Sequence, residues 1–482
     1  MKRKLFVLTI MLCAIFLAAG ATAWGAKGGI PGKPPPSDEE PPDNPVEDFW
    51  FWRWGHMDGP HDSSKALGIS RDGKTAVGST VVVDFTRAWR SDIDWAIATD
   101  DGEPPLYNEL QVQESLGLAA EAAYAASDMT VSPCLYDKLA ENLDWCGSLP
   151  VGTLTTGTVS YAAEWLWAFV AEAEEDNYLA IPDFGGGISD MAANDVSADG
   201  VILVGTGNVK TGMVGWRADT TVVDEDGVPI AAQLTITDTF YTEQTLQTSS
   251  AQAVSADGMI IAGFGGTKRG NKAFVTDTTS TNWADEEPIL ESYVLPAIDG
   301  GQWSEAYAMT VTDEGVIYIA GRSDSPKGPQ ACIWFKDTTQ IDAPWVVKGL
   351  GGLSKKKYDS VATGIVQRLG AADGELMVVG YSKSILYPSE AFVWAGNPTL
   401  EEEEDPVGYL YDLEYILIKT GVGEASLMGS SWILNQATGV GLYADGTARI
   451  VGWGINPEGG VEAWVVTGYP VDELATLLTH DE

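Results

Sequence analysis

The chain has only three histidines, and two share one short stretch: His56-Met-Asp58-Gly-Pro-His61-Asp62. Imidazole and carboxylate donors packed this closely are of the type that holds a divalent metal. The same residues are loop formers, since Asp-Gly-Pro and His-Asp-Ser favour turns. The turn reading takes precedence and no metal is assigned; His56, Asp58, His61 and Asp62 are the residues that would hold one. The third histidine, His480, sits at the end of the chain. Ser-His-Asp catalysis needs a positioned imidazole, so no catalytic residue is nominated. Asp224-Glu-Asp226-Gly227 resembles part of a calcium loop, but Val-Pro follows where ligands should continue, and a hairpin tip is expected. No cofactor is expected, and calcium is the one ion left open. Glycoside hydrolysis asks for two carboxylates about 5–9.5 Å apart. With 69 acidic residues the sequence cannot single out a pair. Of the 18 tryptophans, Trp52, Trp54, Trp95, Trp145 and Trp303 fall outside the repeat described next and would be sugar-stacking platforms where exposed.

The elements that must carry these residues are written in a repeat. An Ala-rich lead-in precedes an acidic residue and Gly, then a short β-branched run ending in Gly. The lead-ins start at Ala66, Ala193, Ala251, Ala306, Ala362 and Ala437. Their turn pairs are Asp72-Gly73, Asp199-Gly200, Asp257-Gly258, Glu314-Gly315, Asp373-Gly374 and Asp445-Gly446. Two apolar runs joined by Asp-Gly predict a hairpin with a type I′ turn, in which both central residues take positive φ. The acidic residues are thus read as structural turn formers rather than as a repeated acidic site. A third strand ends in an aromatic: Trp89, Trp216, Phe274, Trp334, Trp394 or Trp464. A degraded copy, Ala122 to Phe169, fills the long first gap.

Seven small antiparallel sheets that cannot each bury both faces stack radially. The expected fold is an all-β, seven-bladed β-propeller built from short antiparallel sheets. Phe49–Trp54 and Trp464–Val466 would share one sheet and close the ring, so that no strand edge is left open. The expected organisation is a signal peptide at 1–23, a disordered Pro- and acid-rich spacer at 24–48, one propeller domain at 49–468 and a tail at 469–482.

Repeats of the form Ala-x-x-Val-Ser-Ala-Asp-Gly, then Val-Gly, then Ala-Phe-x-Trp resemble the bacterial extracellular HAF repeat. The units at 193, 251 and 362 match well, as does the Leu-Gly-Gly link at 350–352. The stretch from Trp432 to Trp464 looks like a terminal unit of such proteins. The eponymous His is Arg87, Lys272, Glu390 or Glu462 here, and no sorting tail follows residue 468. The resemblance implies an exported repeat protein with no general activity to carry over.

Export is also read from the residues. Met1-Lys-Arg-Lys4, an apolar run from Leu5 to Ala19 and an Ala-x-Ala end describe a cleaved secretory signal. Cleavage leaves 25 basic against 69 acidic residues, a net charge of −44. That disfavours nucleic acid and attraction to anionic lipid. In an oxidising compartment Cys134 and Cys146 could clip an insertion as a disulfide, while Cys332 reads as a buried thiol. The expected protein is a secreted or cell-surface/periplasmic monomer with no membrane span after cleavage. Its expected role is a non-enzymatic binding or scaffold protein for an extracellular carbohydrate or protein. The alternatives are a polysaccharide-acting hydrolase or lyase, or a cation-dependent adhesin.

Overall fold

The computed structural model describes residues 50–469, apart from 55–60, 83–84, 94–107, 110–117, 127–149, 157–158, 166–177, 182–188, 211, 224–228, 238–244, 280–290, 341–342, 355, 368–374, 400–408, 420–431 and 444–445. Strand β1 (Trp50–Trp54) comes first. The first unit is β2 (His61–Ile69), β3 (Thr75–Val82), β4 (Phe85–Asp92) and β5 (Asn108–Glu109). The second is β6 (Leu118–Ala126), β7 (Pro150–Thr156), β8 (Val159–Trp165) and β9 (Tyr178–Ile181). The third is β10 (Ser189–Val196), β11 (Ile202–Val209), β12 (Gly212–Val223) and β13 (Pro229–Leu234). The fourth is β14 (Ser250–Val254), β15 (Ile260–Thr267), β16 (Gly270–Asp277) and β17 (Glu291–Val294). The fifth is β18 (Ser304–Val311), β19 (Val316–Ser323), β20 (Gln330–Asp337) and β21 (Val346–Gly351). The sixth is β22 (Ser360–Gln367), β23 (Leu376–Ser382), β24 (Glu390–Gly396) and β25 (Tyr409–Asp412), followed by helix α1 (Leu413–Lys419). The last is β26 (Ile433–Leu442), β27 (Ala448–Ile455) and β28 (Val461–Tyr469).

All neighbours within a unit pair antiparallel, in chain order. The first strands β2, β6, β10, β14, β18, β22 and β26 each pack on the next, and β26 packs on β2. A closed ring of radially stacked sheets is an all-β β-propeller. Five four-stranded sheets stand alone, not the expected seven. The remaining strands form one eight-stranded sheet, ordered β26-β27-β28-β2-β3-β4-β5 with β1 on β28. The physical reason is one parallel bridge, Ser63 to Val461, which welds the first and last units. β1 lies antiparallel on β28 from Trp50↔Thr467 to Trp54↔Ala463, so the two ends of the fold share a sheet.

A single local device recurs in the first strands. The lead-in Ala faces the closing Gly of the second strand, as in Ala193↔Gly205 and Ala437↔Gly452. The residue after that Ala is bulged out of the ladder in every unit: Leu67, Tyr124, Asn194, Gln252, Tyr307, Thr363 and Thr438. A bulge bends the strand and re-aims its extra side chain. It also drives the carbonyl of the residue before the Ala against the Gly. At Gly205 and Gly452 a Cβ would collide with the carbonyl oxygens of Ala192 and Gln436 and with the rings of Trp216 and Trp464. Each ring comes from the third strand, directly opposite the Gly. Ala, Gly and aromatic thus form one cross-strand row.

The re-aimed side chains staple sheet to sheet. Asn194 donates to the Ala251 carbonyl at 2.7 Å, Thr363 to Ala437 at 2.7 Å and Thr438 to Ala66 at 2.9 Å. The last of these closes the ring. The apolar cores lie between sheets: Trp216 packs with Val151 and Met191, and Ile319 and Trp334 pack with Val275.

The predicted type I′ turns are corrected. Gly73, Gly200, Gly258, Gly315 and Gly446 have positive φ, from 68° to 88°, whereas none of Asp72, Asp199, Asp257 and Glu314 does. The turns are four-residue type I turns, closed for example by the Gly200 N–H on the Ser197 carbonyl at 3.0 Å. The Ser two residues before the Asp does the work. Ser70, Ser197 and Ser255 each donate to their Asp carboxylate at 2.5 Å. The same hydroxyls accept from the backbone N–H groups of Thr75, Ile202 and Ile260 at 2.9–3.0 Å. Asp373, Gly374 and Asp445 lie outside the described residues.

Two substitutions test the device. Gly205→Ala should lower unfolding stability by about 3 kcal/mol through overpacking against backbone. Thr438→Val should cost about 1 kcal/mol, the worth of a lost hydrogen bond. Thermal denaturation of each variant against the parent reads both, and the order of the two effects is the check.

Candidate functional site

Antiparallel order gives the ring two unlike ends. The turns joining first to second and third to fourth strands gather at one, here called the turn end. The connections joining second to third strands, and one sheet to the next, gather at the other, the loop end.

The turn end is bridged by a side chain. Arg71, on the turn after β2, reaches into the third and fourth sheets. Its guanidinium donates to the carbonyls of Val196 and Val254, both at 2.6 Å, and to Asp195 at 3.2 Å. Asp195 also accepts from the Val254 N–H at 2.8 Å. This side chain crosses the interior of the ring rather than running round it. Burial raises the Asp195 carboxyl above its ordinary value, with Arg71 opposing. Behind it, the Leu442 N–H bonds the Arg71 carbonyl at 2.7 Å, and Arg449 bonds the Gly73 carbonyl at 3.0 Å.

A second repeated turn holds this end, and the repeat reading missed it. Asp277-Thr-Thr279 and Asp337-Thr-Thr339 begin at the last residue of their third strands, Asp219-Thr-Thr221 lies within β12, and Asn397-Pro-Thr399 follows β24 in the sixth unit. Each Asp or Asn side chain caps the N–H two residues on, at 2.9–3.0 Å. The middle Thr of the fourth and fifth units donates to a carbonyl of the neighbouring Asp-Gly or Glu-Gly turn, Thr278 to Met259 at 2.8 Å and Thr338 to Gly315 at 2.6 Å. The signal was in the sequence, as an Asp-Thr-Thr at fixed distance past the aromatic.

The loop end carries a buried polar network. Glu305, on β18, accepts from Arg322 Nε at 2.7 Å, Tyr307 at 2.6 Å and Asn271 at 2.6 Å. Arg322 Nη2 lies 2.6 Å from the same carboxylate. Burial would raise Glu305, but the Arg322 charge and these hydrogen bonds outweigh it and hold the carboxyl below 4.5. Burial pushes the Tyr307 hydroxyl well above its ordinary range. Both oxygens of Glu305 are engaged by donors, which suits an anchor better than a proton-transfer group. The anchor holds Trp303, over which the Arg322 guanidinium lies at 5.2 Å. Tyr307 meets Phe264 of the fourth sheet edge-on at 5.9 Å.

Most of the residues nominated from sequence lie outside the described residues. His56 and Asp58 lie outside the described residues; His61 and Asp62 lie on β2, with side chains outside them. Asp224–Gly227 connects β12 to β13, which pair Val223 with Pro229. Trp95, Trp145, Cys134 and Cys146 fall outside the described residues, and Trp52 and Trp54 are on β1. Cys332 is a buried free thiol, its acidity suppressed by burial. Among the described residues no group of three His, Cys, Asp or Glu side chains is arranged to hold a metal.

No family model matches the chain, and no curated protein matches it. Solved structures do, at low similarity. One is TolB from Acinetobacter baumannii, 11% identical over 82% of this chain and 80% of that chain, TM-score 0.31. Another is the β-propeller domain of the trilobed protease from Pyrococcus furiosus, 11% identical over 72% and 98%, TM-score 0.29. A protein of unknown function from Dyadobacter fermentans is 9% identical over 87% and 97%, TM-score 0.33. The assignment to the propeller class rests on the ring of first strands rather than on these likenesses.

Two variants probe the ends. Arg71→Ala leaves the half-buried Asp195 carboxylate without its partner and should cost about 2 kcal/mol, the worth of charge-assisted hydrogen bonds. Adding Asp195→Asn should recover part of that loss in a double-mutant cycle. Glu305 has a depressed folded-state value, so its stabilisation is present above pH 4.5 and lost as the pH falls below it. Glu305→Gln should therefore lower the melting temperature at neutral pH and flatten its decline in acid.

Proposed function

We propose that this chain is an exported, non-enzymatic binding or cell-surface scaffold protein of the HAF-repeat type, which takes its ligand at the loop end. In this reading the basic and apolar start at 1–23 directs export. The eight-stranded sheet works as two blade equivalents, β2–β5 and β26–β28 with β1. The single observation that carries the reading is the Arg71 bridge. It ties the first unit to the third and fourth across the turn end, and the more variable connections at the opposite end are the ones free to meet a ligand. The saturated Glu305 supports the same reading, because an acid–base carboxylate must exchange a proton with substrate.

The alternative, a polysaccharide-acting hydrolase or lyase, differs in one measurable outcome. The purified mature chain, screened on a glycan array and then incubated with the saccharides it retains, should bind without releasing new reducing ends or unsaturated uronates. Release of either would replace the scaffold reading by the enzyme. A cation-dependent adhesin would show a melting temperature that rises with calcium and falls with chelator; the scaffold predicts no change.

A further inference from the structure

The loop end of the fifth and sixth sheets carries a surface opposite in character to the rest of the chain. Three connections meet there. Residues 324–329 join β19 to β20, 352–359 join β21 to β22, and 383–389 join β23 to β24. They are bonded to one another: the Tyr358 N–H donates to the Lys327 carbonyl at 2.9 Å, and the Lys383 N–H to the Asp359 carbonyl at 2.8 Å. Lys327, Lys356, Lys357 and Lys383 are all exposed on this surface. None of the four forms an ion pair with a carboxylate of a described residue. Acids outnumber cations 69 to 28 in the chain, so four unpaired lysines on adjoining loops are a local reversal of charge. The acids on these loops are Asp324 and Asp359. Lys327 lies over the Tyr358 ring at 5.2 Å.

Beside Lys383 stand two aliphatic side chains in water, Ile385 at 88% and Leu386 at 69% exposure. The loop is held open rather than left to collapse. Ser384 accepts from the N–H groups of Leu386 and Tyr387, both at 3.0 Å, and its own N–H donates to the Tyr387 carbonyl at 3.1 Å. Ser389 ties the loop to the Asn435 carbonyl of the next unit at 2.9 Å.

We infer that this face docks on an anionic phospholipid surface, with Ile385 and Leu386 entering the headgroup–acyl boundary and the four lysines meeting the phosphates. Basic residues around a protruding apolar tip are what interfacial binding requires. A soluble polyanion would satisfy the lysines but leave both aliphatic side chains in water. The net negative charge of the chain does not cancel the patch, because at physiological salt charges beyond about 8 Å are largely screened. The inference stands apart from the ligand proposed above.

The test is flotation of the full chain with vesicles of phosphatidylcholine, with and without phosphatidylglycerol. Binding should appear only with phosphatidylglycerol. The double variant Ile385→Ser/Leu386→Ser should weaken it at least about tenfold. Lys356→Glu/Lys357→Glu should weaken it about tenfold or more, as should added salt. All four positions are solvent-exposed, and an unchanged melting temperature confirms that the variants fold. No binding to phosphatidylglycerol vesicles overturns the inference. So does equal binding by Ile385→Ser/Leu386→Ser. Retention on a sulfated-polysaccharide column, unaltered by the aliphatic substitutions and without vesicle binding, assigns the lysines to a soluble polyanion instead.

Discussion

The fold depends on one tight contact made again and again. In the first strand of each unit a bulge follows an Ala and pushes the preceding carbonyl into the second strand. Only Gly leaves room there, as Gly205 and Gly452 show, and an aromatic from the third strand covers Gly78, Gly205, Gly380 and Gly452. Three consequences follow from this one arrangement. The strands are locked in register, because a slip of one residue would put a side chain where none fits. The bulge bends each first strand inward. The bulged residue points out of its own sheet, which lets Asn194, Thr363 and Thr438 bond to the next sheet.

The two ends of the ring are built from different chemistry. At the turn end, short Ser-x-Asp-Gly and Asp-Thr-Thr turns satisfy their own backbone groups, and Arg71 bridges the first unit to the third and fourth. These acids are held by hydroxyl and N–H donors and are poorly placed to serve an incoming ligand. At the loop end the connections vary in length and composition from unit to unit. Glu305 and Arg322 anchor Trp303 there, and the lysine-bearing loops with Ile385 and Leu386 extend over two neighbouring sheets. Rigidity at one end and variation at the other is a common division of labour between scaffold and surface.

Much of the scaffold was legible along the chain, and for a definite reason. Ala, Gly and aromatic recur in a fixed order because in most units they meet across adjacent strands, though Gly321 faces Cys332 and Gly152 faces Ala163, and strands close in sequence pair locally. The degraded copy between Ala122 and Phe169 was legible too, since β6 to β9 keep the Ala123↔Gly152 pairing. Turn geometry was legible only in part. Asp-Gly suggested two positive-φ residues, but Ser197 and its equivalents supply hydrogen bonds that a type I turn accepts, and Gly alone takes positive φ. The repeat predicted seven separate sheets, and the structure has five with the rest merged into one, which the repeat did not announce. One backbone bridge, Ser63 to Val461, merges two units that lie almost the length of the chain apart.

By itself the sequence determined the all-β class, the repeat and its hairpins, because those depend on residues within a few tens of positions of one another. The tertiary structure alone decided what happens between distant units. Arg71 and Asp195 are 124 residues apart, and nothing in either neighbourhood announces the other. Lys327, Lys356, Lys357 and Lys383 sit in three separate stretches of an acidic chain and form one basic surface only after the fifth and sixth sheets pack. Whole-chain charge predicted repulsion from anionic surfaces, whereas the local charge on that face has the opposite sign. Chemistry in this protein depends on which loops the ring brings together, and ring closure is a property of all the repeats at once.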